Sequence, residues 1–161
     1  MADLNKLLTP LFLNEKEIRK VIELLFFSYR DFTSGPDKIL EKLGFGRAHH
    51  RVIYFVGKQK KITIKELLSI LKITKQSLSR VLNQLVKEKY IILSTGLDKR
   101  TKNLSLTKKG SNLENELSTI QITKIRKIIK NYNEDDINGF KKVLYSLIEE
   151  KNKLKFDEIN N

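Results

Sequence analysis

The chain has 161 residues, 40% apolar and 32% charged, which suits one packed domain with helical extensions and excludes wholesale disorder. It contains no cysteine, so disulfides, thiolate metal sites and a thiol redox switch are excluded. Its formal charge is +13, from 32 Lys and Arg against 19 Asp and Glu. Only 2 Pro and 7 Gly occur, and long regular elements are expected. The start, "MADLNKLLTP", lacks a basic run followed by an apolar one, and the most apolar window, residues 21–29, is too short to span a bilayer and contains Glu23. A soluble, cytoplasmic protein without membrane contact is expected.

Residues 15–32 place Ile18, Val21, Ile22, Leu25 and Phe26 at helical spacing, with Leu24, Phe27 and Tyr29 widening the stripe beyond what a helix covered on one side needs. Ser34-Gly35-Pro36 predicts a break, followed by a short helix or turn ending at Gly44. Residues 46–58 predict another helix. In residues 62–72, Thr63 and Glu66 have capping-box spacing ahead of Ile64, Leu67, Leu68 and Leu71. A three-residue break leads to Thr74, a second N-cap, and to a helix burying Leu78, Val81, Leu82, Leu85 and Val86. Its other face, Gln76, Ser79, Arg80, Asn83 and Lys87, carries no acid. Two helices joined by a tight turn, the second with a polar and basic face, form a helix-turn-helix pattern. Two β-prone runs, residues 90–94 and 103–107, then hold out the polar loop "GLDKRTK" as a wing. Residues 107–132 predict a helix of about seven turns, and Asn133 with Glu134, Asp135 and Asp136 starts another, carried by Phe140, Val143, Leu144, Leu147 and Ile148. The polar tail from 151 is expected to fray.

The charge is not spread evenly. Residues 46–110 hold 16 Lys and Arg against three acids, Glu66, Glu88 and Asp98, leaving 16 of each sign for the rest of the chain. The whole excess therefore lies in 65 consecutive residues, a field suited to a polyanion whose counterions are released on binding. A basic reader between neutral, apolar ends suggests that those ends pair with a second copy of the chain. The expected fold is mainly α with a small β-wing. Residues 46–110 form the DNA-binding lobe, and residues 1–45 with 111–161 form helical dimerisation elements.

This layout resembles the MarR family of bacterial transcriptional regulators over roughly residues 15–150. The wing carries the resemblance most specifically. "LDKRTKNLSLTKKG", residues 97–110, has Asp98, Arg100, Leu106, Thr107 and Gly110 in the family's pattern, directly after a two-helix reader. Membership implies a homodimer with interlocked terminal helices. It also implies a palindromic operator, repression in many members, and release by a small anionic or phenolic ligand between the two regions. Lys89 departs from the pattern, since the family usually places glycine there to relieve a left-handed helix end; a lysine in that conformation costs roughly 1 kcal/mol.

With Thr74 as cap, Lys75, Gln76, Ser77 and Arg80 lie on the end of the helix that enters a major groove of double-stranded DNA. Gln76 can pair bidentately with adenine and Arg80 with guanine, while Lys75 and Ser77 suit phosphates and Asn83 is a weaker base reader. Arg100 suits the adjoining minor groove, oriented by Asp98, and Lys99 and Lys102 suit phosphates. His49 shares a face with Val52, Ile53 and Val56 and reads as a packed histidine. His50, Arg51 and Tyr54 form a different face, on the helix that in the resembling family borders the ligand cleft. They bind an anionic effector or else hydrogen-bond across the fold or the dimer. Two adjacent histidines without cysteine or a third histidine make no metal site, no cofactor motif is found, and no catalytic constellation points to an enzyme. The alternative function is an architectural protein that coats DNA with little sequence preference.

Overall fold

The computed structural model describes residues 14–96 and 100–161. Helix α1, Glu15–Lys42, starts at Asn14, whose side chain accepts the Glu17 N–H at 3.0 Å. It runs 28 residues, straight through Ser34-Gly35-Pro36, where a break was expected. The reason is tertiary. A Cβ on Gly35 would lie 2.8 Å from Ile120, so only glycine lets the later helix α5, Lys108–Ile129, pass this close. Pro36 is buried within the helix, and side chains bond backbone carbonyls in the turn before it. The Thr33 hydroxyl reaches the Tyr29 and Arg30 carbonyls, Ser34 reaches that of Asp31, and the Lys124 ammonium donates to the same Asp31 carbonyl. The helix ends as its sequence predicts, at Gly44 with φ +68° and Phe45 N–H on the Leu40 carbonyl.

Helix α2, Arg47–Lys58, is the centre of the lobe and buries Val52, Ile53 and Val56. Strand β1, Ile62–Thr63, leads into helix α3, Ile64–Leu71. The expected capping box is present: Thr63 accepts the Glu66 N–H at 3.2 Å, and the Glu66 carboxylate accepts the Thr63 N–H at 2.7 Å. That backbone bond, with a second from the Thr63 hydroxyl, lowers the Glu66 pKa. Helix α4, Lys75–Lys87, begins on Thr74, which accepts the Ser77 N–H at 3.1 Å. It ends with Lys89 at φ 62°, the left-handed turn expected without its usual glycine. The strained lysine is held from both sides, since its own carbonyl accepts the Thr107 hydroxyl at 2.6 Å and the Glu88 carbonyl accepts Lys109 at 2.9 Å.

Strands β2, Ile91–Thr95, and β3, Lys102–Leu106, form the wing root, each shifted by one residue from the sequence reading. Tyr90 is withdrawn into the core, and Thr107 leaves the strand to cap α5 by accepting the Gly110 N–H at 3.0 Å. The unforeseen β1 pairs with β3, giving sheet order β1-β3-β2 with Leu104 between Ile62 and Leu93. A two-residue strand leaves no readable periodicity, so only the partner reveals it.

Helix α5 covers about six turns, shorter than expected. Its first half buries Leu113 and Leu117. Helix α6, Glu134–Ser146, is capped by Asn133 as expected but buries nothing. The tail is not frayed: Glu150–Glu158 form helix α7. Tyr145 donates to Asp157 at 3.0 Å and meets the Phe156 ring, α7 lies against α3, and Asn160 accepts Lys58 at 2.6 Å. Contacts with elements distant in sequence overrode a polar composition. The core draws on residues from Leu40 to Leu117, while large apolar side chains remain exposed on α1 (Leu24, Phe26, Phe27), distal α5 (Ile122, Ile125, Ile128) and α6 (Phe140, Val143, Leu147). Among the described residues, no helix is long and apolar enough to cross a membrane.

Candidate nucleic-acid interface

The first turn of α4 leaves Lys75 and Gln76 exposed and Ser77 half-buried, with the Ser77 hydroxyl accepting the Thr74 O–H at 2.9 Å. Arg80, Asn83 and Lys87 are exposed on the same side, opposite the buried Leu78, Val81, Leu82 and Leu85. The local cause is periodicity: every third or fourth apolar residue is taken by the core, and the polar remainder faces outward. Arg100 and Lys102 are exposed on the wing, Lys102 opposite Thr95 in the β-ladder. Asp98 and Lys99 lie outside the described residues.

Between α4 and the wing runs a groove of about 420 Å³. Lys75, Asn83 and Lys87 form one wall and Leu93 and Lys102 the other, over a floor that includes Leu82 and Val86. Three lysines thus line one channel between the helix and the wing. Lys87 was on the outer face in the sequence reading but not among the candidates; its position one turn beyond Asn83 was the available signal. Leu93 was missed because an isolated exposed leucine on a strand says nothing without its neighbours.

A second cavity, of about 630 Å³, opens where α1, α2 and α5 meet. His50, Arg51 and Tyr54 all line it, together with Tyr29, Arg47 and Arg126. The two histidines have different surroundings: His49 stacks on Phe45 and bonds Gln84, while His50 lines the cavity. His50 is the buried one, at 9% exposure, and His49 is only half-buried. His50 lies where α1 and α5 pack over α2, a packing that residue spacing on α2 alone does not specify. Burial lowers the His50 pKa, with Asp37 and Glu114 opposing it. The Arg47 guanidinium is fixed by Asp37 at 2.9 Å and lies 5.6 Å from the centre of the Tyr29 ring. Arg51 and Tyr54 are exposed at the rim. Among the described residues, no cluster of three or more His, Asp or Glu could hold a metal ion.

The sequence model of the MarR family matches residues 43–101, and the chain is 42% identical over 142 residues to the HTH-type transcriptional regulator PetP of Rhodobacter capsulatus, covering 88% of this chain and 86% of that protein. The chain belongs to the MarR family. MarR-family structures share its fold as well. Streptococcus pneumoniae FabT, solved in complex with DNA, matches with a TM-score of 0.72 at 22% identity, over 81% of this chain and 94% of FabT. NadR, solved with 4-hydroxyphenylacetate, matches with a TM-score of 0.65 at 19% identity, over 76% and 88%. As a MarR-family member the protein is a DNA-binding transcriptional regulator with a winged helix-turn-helix.

The fold also supplies a physical account of the MarR wing pattern in this chain. Thr107 ties Lys89 to the start of α5, and Gly110 sits against the Tyr90 backbone, where a Cβ would come within 2.0 Å of the carbonyl oxygen. These residues of the pattern are structural fasteners between α4, the wing and α5. Among the described residues of the pattern, Arg100 stands exposed at the wing.

Proposed function

We propose that this MarR-family regulator acts in the cytoplasm as a homodimer that binds a palindromic operator, represses transcription there, and is released by a small anionic aromatic ligand. The observation that carries the reading is the acid-free outer face of α4 beside the Arg100 wing, inside the 65 residues that hold all the excess charge. Residues 46–110 are the reading lobe. Residues 1–45 with 111–161 supply the pairing surface, supported by the apolar side chains that α1, distal α5 and α6 leave exposed, Phe26 by 70% and Phe140 by 58%.

In this reading Gln76 and Arg80 contact base edges in the major groove, with Asn83 one turn deeper. Lys75 and Ser77 bind phosphates beside the Thr74-capped helix end. Lys102, with Lys87 across the groove, grips the strand that passes between helix and wing. Arg100 enters the minor groove, with Asp98 orienting it and Lys99 adding charge. The effector occupies the cavity of His50, Arg51 and Tyr54, where arginines sit among apolar walls; the 4-hydroxyphenylacetate bound to NadR supports this ligand class.

Binding to DNA flanking the protein's own gene, at about 150 mM salt with bulk competitor, tests the function. A discrete, two-fold symmetric footprint is expected; uniform, salt-labile coating would replace this reading with an architectural one. Within it, Arg80→Ala is expected to flatten the preference among operator variants by about 1–3 kcal/mol at one base pair. A uniform loss across all sequences would make Arg80 a phosphate contact instead.

A further inference from the structure

We propose that His49 is a positioning residue for the reading helix, locking α4 against α2 only while its imidazole is neutral. The inference rests on α4 being the DNA-reading element. Its basis is a chain of hydrogen bonds whose direction is forced at every step. The Gly46 N–H points at His49 Nδ1 at 3.1 Å, and an N–H donor needs a lone pair, so Nδ1 carries no proton. In the neutral ring the proton is then on Nε2, which donates to Gln84 Oε1 at 2.9 Å. That fixes the Gln84 amide, whose Nε2 donates to the Glu88 carboxylate at 3.0 Å. Gln84 and Glu88 are on the last turns of α4 and its C-cap, while Gly46 is the N-cap of α2. One side chain therefore closes the start of α2 and holds the far end of the reading helix.

The ring is held in place by stacking. Phe45 lies parallel to it, 10° between planes with centroids 4.7 Å apart, and meets Tyr90 edge-on from the other helix end. The ionisable groups around this corner are few. Glu88 comes from α4, and Lys109 of α5 lies 4.0 Å from the Tyr90 ring centre and on the Glu88 carbonyl. Arg47 is engaged by Asp37 of α1, and His50, adjacent in sequence, is influenced by Asp37 and by Glu114 of α5. Of these, only Glu88 takes a hydrogen bond in the chain that includes His49.

Protonation of His49 puts a second N–H where the Gly46 N–H already points. Two donors cannot share that space, so the cap of α2 opens and the ring leaves its fixed position. The far end of α4 then loses its tether. The sign is diagnostic, because an added positive charge alone strengthens DNA binding. A lock that requires the neutral ring makes binding weaken on acidification.

The test is operator binding by the full-length chain from about pH 7.5 to about pH 5.5. Wild type is expected to lose roughly tenfold or more in affinity on acidification, the cost scale of one facing-donor mismatch. His49→Phe keeps the stack without ring nitrogens and should bind about tenfold more weakly at pH 7.5 with no further fall. His49→Gln supplies both an acceptor and a donor from the capping-box position and should restore binding to within about threefold, also without the fall. Wild-type affinity that stays flat or rises on acidification overturns the proposal, as does a fall that persists in His49→Gln. Nitrogen NMR of the imidazole in wild type gives a readout independent of DNA. A protonated Nε2 at neutral pH is expected, and a protonated Nδ1 overturns the lock. A chain that binds no DNA at any pH while showing the expected tautomer would instead overturn the assignment of α4 as reader.

Discussion

Gly110→Ala is expected to lower stability by about 3 kcal/mol, a fall of roughly 6–12 °C in thermal midpoint for a chain of this size. The reason is steric and cannot be relieved cheaply. The added Cβ would stand 2.0 Å from the Tyr90 carbonyl oxygen and 3.0 Å from its carbon, both backbone atoms. Tyr90 cannot retreat, because its N–H is bound to the Leu85 carbonyl at 2.8 Å and its ring is buried. Its carbonyl also accepts the Thr107 N–H at 3.0 Å. Pushing α5 away would open the Thr107 cap and the support of the left-handed Lys89 together. Gly44→Ala makes the comparison. It meets nothing within 4 Å and is opposed only by φ +68°, so it should cost about 1 kcal/mol. Equal losses for the two variants, measured by thermal or denaturant unfolding, would show that close approach is not why glycine stands at 110.

Arg100→Ala should weaken operator binding at least about tenfold while leaving the folded chain intact, the scale of one charge-assisted contact made where a narrow groove strengthens it. Arg100 is exposed on the wing, so unfolding should change by no more than about 0.5 kcal/mol. The salt dependence of binding should lessen, with a slope smaller by about one counterion. Affinity and salt slope both unchanged would remove the wing from the binding mechanism. A large loss with the slope preserved would point to a misplaced wing, not a lost contact.

The residues that made helix starts legible act over three or four positions. Thr63 with Glu66, Thr74 with Ser77, and Asn133 with Asp136 each close a helix start through bonds to residues three apart, so the chain spells them out directly. The outward face of α4 was equally readable, because 3.6-residue periodicity separates Leu78, Leu82 and Leu85 from Gln76, Arg80 and Asn83 without any partner being known. Even the departure at Lys89 was visible, since the turn needs a left-handed residue whatever occupies it.

By itself, then, the sequence determined where the helices of the lobe begin, which side of α4 stays polar, and that all the excess charge lies between residues 46 and 110. Each is local geometry or a count. The tertiary structure alone decided that α1 continues past Pro36, because the close passage of Ile120 over Gly35 lies 85 residues away in the chain. It decided that a polar tail becomes α7, through Tyr145, Lys58 and contacts with α3. It also decided that His50 is buried, because the packing of α1 and α5 over its face of α2 is not written in that helix's own periodicity.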